Sequence, residues 1–174
     1  SHHILFRELL EKNGIPANEV ELIELPPPEM PSALASGRIA GYCVAEPFGA
    51  IAVHGGYGKV LYRSQELWPD SVCCALVAND RFLNENPALA AKFREEYLRA
   101  GERLANKEEA LSVAKALLRQ PPEVLARSLE WISFTDLSLP QNTYDDLKAK
   151  VVKYGISAAP PSFADFVAHP GDTE

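Results

Sequence analysis

The stretch from Glu24 to Ala50, ELPPPEMPSALASGRIAGYCVAEPFGA, constrains the fold of this chain more than any other segment. Three consecutive prolines, Pro26 to Pro28, end whatever ladder precedes them, because proline has no backbone N–H to donate. Glu29 to Ser36 then reads as a short helix closed by Gly37. Ile39 to Ala45 is apolar on both faces, the pattern of a parallel strand covered on both sides. Glu46-Pro47 follows, and Phe48 to Val53 begins another helix. A strand-to-helix switch of this kind, at the carboxyl end of a strand in an open α/β sheet, is where small ligands sit.

The flanking segments extend the alternation. Ile4, Leu5, Leu9 and Leu10 recur at helical spacing, and Asn13-Gly14 stops that helix. Residues 20–25 read as a strand, as do 59–62 and the long apolar run 72–78. Asp80 can cap a helix, and Pro87 opens a long one through Leu104. Further helices fit residues 107–119, 122–130 and 142–154. Strands and helices thus alternate in the first part, and the last part is almost entirely helical. Alternation with short loops predicts a mainly parallel sheet covered by helices, an α/β architecture. The helical second part has too few strands for a sheet of its own, so it is expected to pack on strands contributed elsewhere.

Charge and hydropathy remove several functional classes. The formal net charge is −7 across 174 residues with no cluster of Lys and Arg, which argues against a nucleic-acid surface. An acidic surface still leaves room for an anionic small ligand, since a helix N-terminus supplies a local positive field. No stretch approaches 18 uninterrupted apolar residues, so no membrane-spanning helix is expected. No signal peptide is visible. Gly55-Gly56-Tyr57-Gly58-Lys59 suggests a phosphate loop only superficially. The P-loop needs Ser or Thr and then a helix after its lysine, whereas Lys59 is followed by Val60-Leu61-Tyr62; the segment reads as a helix stop.

No catalytic set emerges. Neither G-x-S-x-G nor H-E-x-x-H occurs, and His2, His3, His54 and His169 pair with no evident nucleophile. The expectation is a protein that is not an enzyme and needs no cofactor. Cys43, Cys73 and Cys74 match no zinc spacing, so no metal site is expected. These cysteines read as thiols on apolar strands, and a disulfide from Cys43 to one of the pair is open if strands 40–45 and 72–78 are neighbours.

The remaining candidates are groups that could line a ligand site, each with a plainer alternative. Glu46-Pro47 offers a carboxylate at a cleft, or equally a cap for the helix beginning at Phe48. Ser1, His2 and His3 open the first helix, where free N–H groups suit oxyanions; alternatively the histidines are simply solvated. Trp68, ahead of Pro69-Asp70-Ser71, lines a cleft or fills the core.

Three segments together resemble the solute receptors of nitrate, sulfonate and taurine type ABC importers. SHHILFRELLEKNGI resembles the first helix of their second lobe. The Glu24–Ala50 stretch resembles the strand–helix–strand that follows, including the E-P pair of nitrate and bicarbonate receptors. LWPDSVCCALVANDRFLNENP resembles the return strand toward the first lobe. The likeness implies a type II periplasmic-binding-protein fold, with residues 1–70 as most of lobe two. Residues 71–174 would be the return strand and the C-terminal helical part of lobe one, whose N-terminal half has no counterpart here. It further implies ligand binding in an interlobe cleft by Ser1, His2, His3, Glu46, Pro47, Trp68 and Ser71. His2 stands where nitrate-type receptors carry a histidine after a small residue. The partners implied are a small-molecule solute and the permease and ATPase of an ABC importer, with membrane association only through the permease. The location implied is periplasmic or extracytoplasmic. Phe48 replaces the tryptophan usual after E-P, and Val72-Cys73 stands where nitrate-type members carry a lysine, so a sulfonate or other organic solute is as much to be expected as nitrate or bicarbonate. Two other uses of the same fold are a cytoplasmic solute sensor and a thiamine-pyrimidine biosynthesis enzyme. Cys73-Cys74 is a poor match to the cysteine-rich motif of the latter.

Overall fold

The computed structural model describes residues 1–72 and 74–168. The chain divides into two compact units. One comprises Ser1–Cys73 with Ala110–Ser133, the other Cys74–Glu109 with Phe134–Glu174. The chain therefore leaves the first unit after residue 73 and returns to it for residues 110–133.

In the first unit, α1 (His2–Lys12) buries Ile4, Leu5 and Leu10, which fall on one face at helical spacing. It packs against the short helix α4 (Ser64–Leu67). Lys12 reinforces that contact, donating from Nζ to the Glu66 carbonyl at 3.3 Å and lying over the Tyr62 ring. A 3-10 turn over Pro27–Glu29 leads into α2 (Met30–Ala35), whose buried face is Pro31 and Ala33. Next comes α3 (Phe48–His54), which buries Ala50 and Ala52 and contacts both α2 and α8 (Pro122–Trp131). Alanines on both α2 and α3 permit close approach of the two backbones. On α8, Val124, Leu125, Ser128 and Leu129 form one buried stripe. Fully burying an aliphatic side chain of this size contributes roughly 1.5–3 kcal/mol, so α8 supplies a large share of this unit's apolar core.

The second unit contains α5 (Asp80–Glu85), α6 (Pro87–Leu104) and α9 (Gln141–Lys153), followed by α10 (Phe163–Phe166). Between α6 and α8 runs α7 (Lys107–Leu117), with the Asn106 side chain accepting from the Glu108 and Glu109 N–H groups. The expected cap at Asp80 is corrected: Asn79 holds the capping position, its Oδ1 accepting from Arg81 N–H at 2.8 Å, while Asp80 is the first helical residue. Buried Tyr144 on α9 stacks against Phe163 and Phe166 and donates its hydroxyl to the Pro161 carbonyl at 2.7 Å. The final turn of described chain is thereby fixed to α9.

The α/β expectation is not confirmed among the described residues. Segments 20–25, 39–45, 59–62 and the described residues of 72–78 form no strand among the described residues. Val20 does adopt extended torsions, φ −125° and ψ 126°, as its sequence prescribes. A strand, however, is defined by hydrogen bonds to a neighbour, and no ladder joins these segments here. Their apolar side chains are accordingly exposed: Leu22, Ile23, Val60, Leu61 and Val77 all face solvent. The parallel-sheet lobes are thus not realised within the described residues.

Gly101 on α6 leaves no room for a side chain. A Cβ there would lie 2.5 Å from Leu137 Cδ1 and 2.8 Å from the Phe134 carbonyl oxygen. The carbonyl belongs to the backbone and cannot swing aside. Gly101→Ala is expected to destabilise the protein by about 1–3 kcal/mol through overpacking, despite the better helix propensity of alanine. Chemical denaturation of the two proteins checks this; equal midpoints would show that the 134–137 turn yields freely.

Candidate functional site

All seven residues expected to bind ligand fall in the first unit. The structure places them in different settings. Ser1 and His3 are exposed at the start of α1, and His2 beside them is half-buried. No side-chain hydrogen bond caps this end of the helix, and its first turn carries no acidic residue to offset the dipole. Burial, with a further contribution from the amino-terminal charge, holds the His2 imidazole below its ordinary value of 6.5. The ring is therefore neutral at pH 7.

Cys43 is a half-buried thiol in the segment that ends at Glu46. Burial pushes its ionisation upward, and the amino-terminal charge opposes that shift. The thiol is free, so the disulfide from Cys43 that the sequence left open is not formed. Cys73 and His169 lie outside the described residues.

Glu46 is the most connected candidate. It precedes a cis peptide bond to Pro47, and its carboxylate turns back over the start of α3. Oε2 accepts from Ala50 N–H at 3.0 Å and from the Ser128 hydroxyl, also at 3.0 Å. Oε1 occupies the space beside Gly49, where a Cβ would collide with it. The same corner is held from a third direction by Tyr42, whose hydroxyl donates to the Phe48 carbonyl at 2.8 Å. Burial, followed by the nearby Tyr57 and Glu46, pushes the Tyr42 hydroxyl up to about 12, so it remains a donor throughout the physiological range.

Trp68 and Ser71 complete the set. Trp68 is 3% exposed and belongs to the core of the first unit. Ser71 is half-buried, and its N–H donates to the Trp68 carbonyl at 3.3 Å.

Sequence reasoning missed Ser128 and Tyr42. Ser128 lies on the apolar stripe of α8, where the surrounding valine and leucines indicate only a buried face. Tyr42 sits in an apolar run that carried no sign of a local hydrogen bond.

With this geometry in place, the chain was compared with known proteins. The model of the NMT1-like family matches residues 1–118. The chain belongs to the NMT1-like family. Among curated proteins it is similar to a nitrate import ATP-binding protein of Synechocystis sp. (29% identity over 132 residues, 75% of this chain and 19% of that protein). It is also similar to a nitrate/nitrite binding protein of Synechococcus elongatus (32% over 88 residues, 50% of this chain and 20% of that protein). The chain thus spans about a fifth of the length of these curated relatives. Among solved structures, it superposes on the ligand binding component of an ABC-type import system from Staphylococcus aureus, crystallised with zinc bound. The TM-score is 0.90 at 31% identity, covering 96% of this chain and 57% of that one. This family member therefore shares the fold of an ABC-import ligand-binding component over nearly its whole length. Among the described residues no group of three or more His, Cys, Asp or Glu side chains could hold a metal ion.

Trp68→Ala should cost about 3–5 kcal/mol, the usual penalty for truncating a buried aromatic. Thermal or denaturant unfolding provides the measurement. Unchanged stability would place Trp68 outside the core and leave ligand contact as its principal role.

Proposed function

We propose that this chain is part of a solute-binding receptor of an ABC importer and takes a small oxyanion or sulfonate. On this reading it performs no chemistry of its own. Its role is to hold the solute outside the cytoplasm and present it to a membrane permease driven by an ATPase. The observation that carries the reading is the start of α1: an 11-residue helix with no side-chain cap and a half-buried histidine at its first position. Backbone N–H groups and the helix dipole suit an anion there, and the first turn carries no acidic residue. Ser1, His2 and His3 would meet the anion directly. The Glu46-Pro47 corner would form a wall of the site, with Trp68 and Ser71 supporting it. The curated relatives named for nitrate, and the solved relative named as an import component, support the solute class and the partner.

A thermal-shift series provides the test, with nitrate, bicarbonate, taurine and alkyl sulfonates as probes and neutral sugars as controls. A ligand at about a hundred times its dissociation constant adds roughly 2.7 kcal/mol of stability. Stabilisation by at least one anion and by none of the controls is expected. No shift with any anion would overturn the reading.

The His2 environment also fixes a pH dependence. Its folded value lies below 6.5, so the unfolded chain binds the proton more readily. Without ligand, stability contributed by the neutral ring is present above pH 6.5 and is lost as pH falls toward the lower folded value. A bound anion favours the imidazolium and raises that value. Anion affinity is therefore expected to rise as pH falls below 6.5, and His2→Gln should flatten the dependence. Calorimetric titration with the stabilising anion at several pH values measures both; an unchanged slope in the variant would remove His2 from the site.

A further inference from the structure

Ser128 stands on α8, 82 residues along the chain from Glu46, yet its hydroxyl lies 3.0 Å from Glu46 Oε2. It is buried, in a stripe otherwise made of valine and leucine. The hydroxyl also lies 2.9 Å from the Val124 carbonyl of its own helix. A hydroxyl has one proton to give, and a carboxylate is the stronger acceptor of the two. The bond to Glu46 is therefore the one that uses it best. Three features determine how the carboxylate points. Ala50 N–H holds Oε2 from the first turn of α3. Gly49 leaves room for Oε1. Ser128 holds Oε2 from α8. The first two are local to the corner and would exist in any chain carrying E-P-x-G-A; the third depends on a helix from the distant part of the sequence.

We propose that Ser128 is a positioning residue for the solute site: it fixes the Glu46 carboxylate, and with it the wall formed by Glu46 and Pro47, without itself touching solute. This rests on the receptor reading above. A merely structural serine would tie α3 to α8 and affect stability alone. A positioning serine changes affinity by more than its effect on stability accounts for.

The experiment compares wild type with Ser128→Ala, Ser128→Thr, Glu46→Gln and Val124→Ala. The last removes apolar volume one turn away on the same buried stripe and serves as a stability-matched control. Each is titrated calorimetrically with nitrate, bicarbonate and taurine, and its melting temperature is recorded. For a probe that binds wild type, Ser128→Ala is expected to weaken affinity about tenfold, the scale of one lost charge-assisted hydrogen bond. Val124→Ala should stay within about twofold at a comparable loss of melting temperature. Ser128→Thr, which keeps the hydroxyl, should recover most of the affinity. Glu46→Gln keeps an oxygen acceptor but not the charge, and should fall between; it decides the matter if Ser128→Ala does not fold. Affinity that follows melting temperature across all variants overturns the proposal, as does wild-type affinity in Ser128→Ala or, failing that protein, in Glu46→Gln. If no probe binds wild type, the receptor reading falls and this proposal with it. Binding by wild type with equal binding by the serine variants removes this proposal alone.

Discussion

One carboxylate oxygen joins parts of the first unit that lie 82 residues apart. Glu46 Oε2 receives the Ala50 N–H and the Ser128 hydroxyl together, and the α3–α8 contact is built around it. Both donors satisfy a partly buried charge that would otherwise be costly to keep from water. Around this oxygen the corner allows little variation. Gly49 must lack a Cβ, the faces of α3 and α2 must be small, and Tyr42 closes the other side by donating to Phe48. A second tie runs in parallel, with the Arg63 guanidinium stacked over the Trp131 ring at 5.8 Å. The rest of the first unit is thus held to α8 at two points, by a charge-assisted bond at Ser128 and a cation–π contact at its last residue.

The two readings of Glu46 open at the level of sequence need not exclude each other. Its carboxylate offsets the positive start of α3, as a cap would. In doing so it makes that helix a poor anion site, whereas the first turn of α1 carries no acidic residue. One acidic side chain thereby discriminates between two helix N-termini in the same unit. This selection is electrostatic and does not require Glu46 to touch the solute.

Much of the helical framework was legible in the sequence because its signals are local. The start of α6 at Pro87 and its end at Leu104 follow from proline at the first turn and an amphipathic period. The end of α3 at His54 follows from the glycines after it. What was not legible depends on partners. Residues 20–25 and 39–45 carry strand composition, but a ladder needs a neighbouring chain, and composition names none. Asn79 displaced Asp80 as a cap by one position, which only the actual torsions decide. Ser128 was invisible for a related reason: its meaning lies in a carboxylate that sequence distance hides.

The return of residues 110–133 to the first unit has a consequence for biosynthesis. During synthesis α1 to α4 emerge before α8. Until Trp131 has left the exit tunnel, α3 has no α8 to pack against and Glu46 has no Ser128. Helices α5 and α6 of the second unit are released in the interval. The first unit can consequently finish folding only after part of the second has been made, so the two cannot fold strictly one after the other as early and late domains usually do. During that window the open face of α3, with Ala50 and Ala52 uncovered, would be the surface most in need of a chaperone.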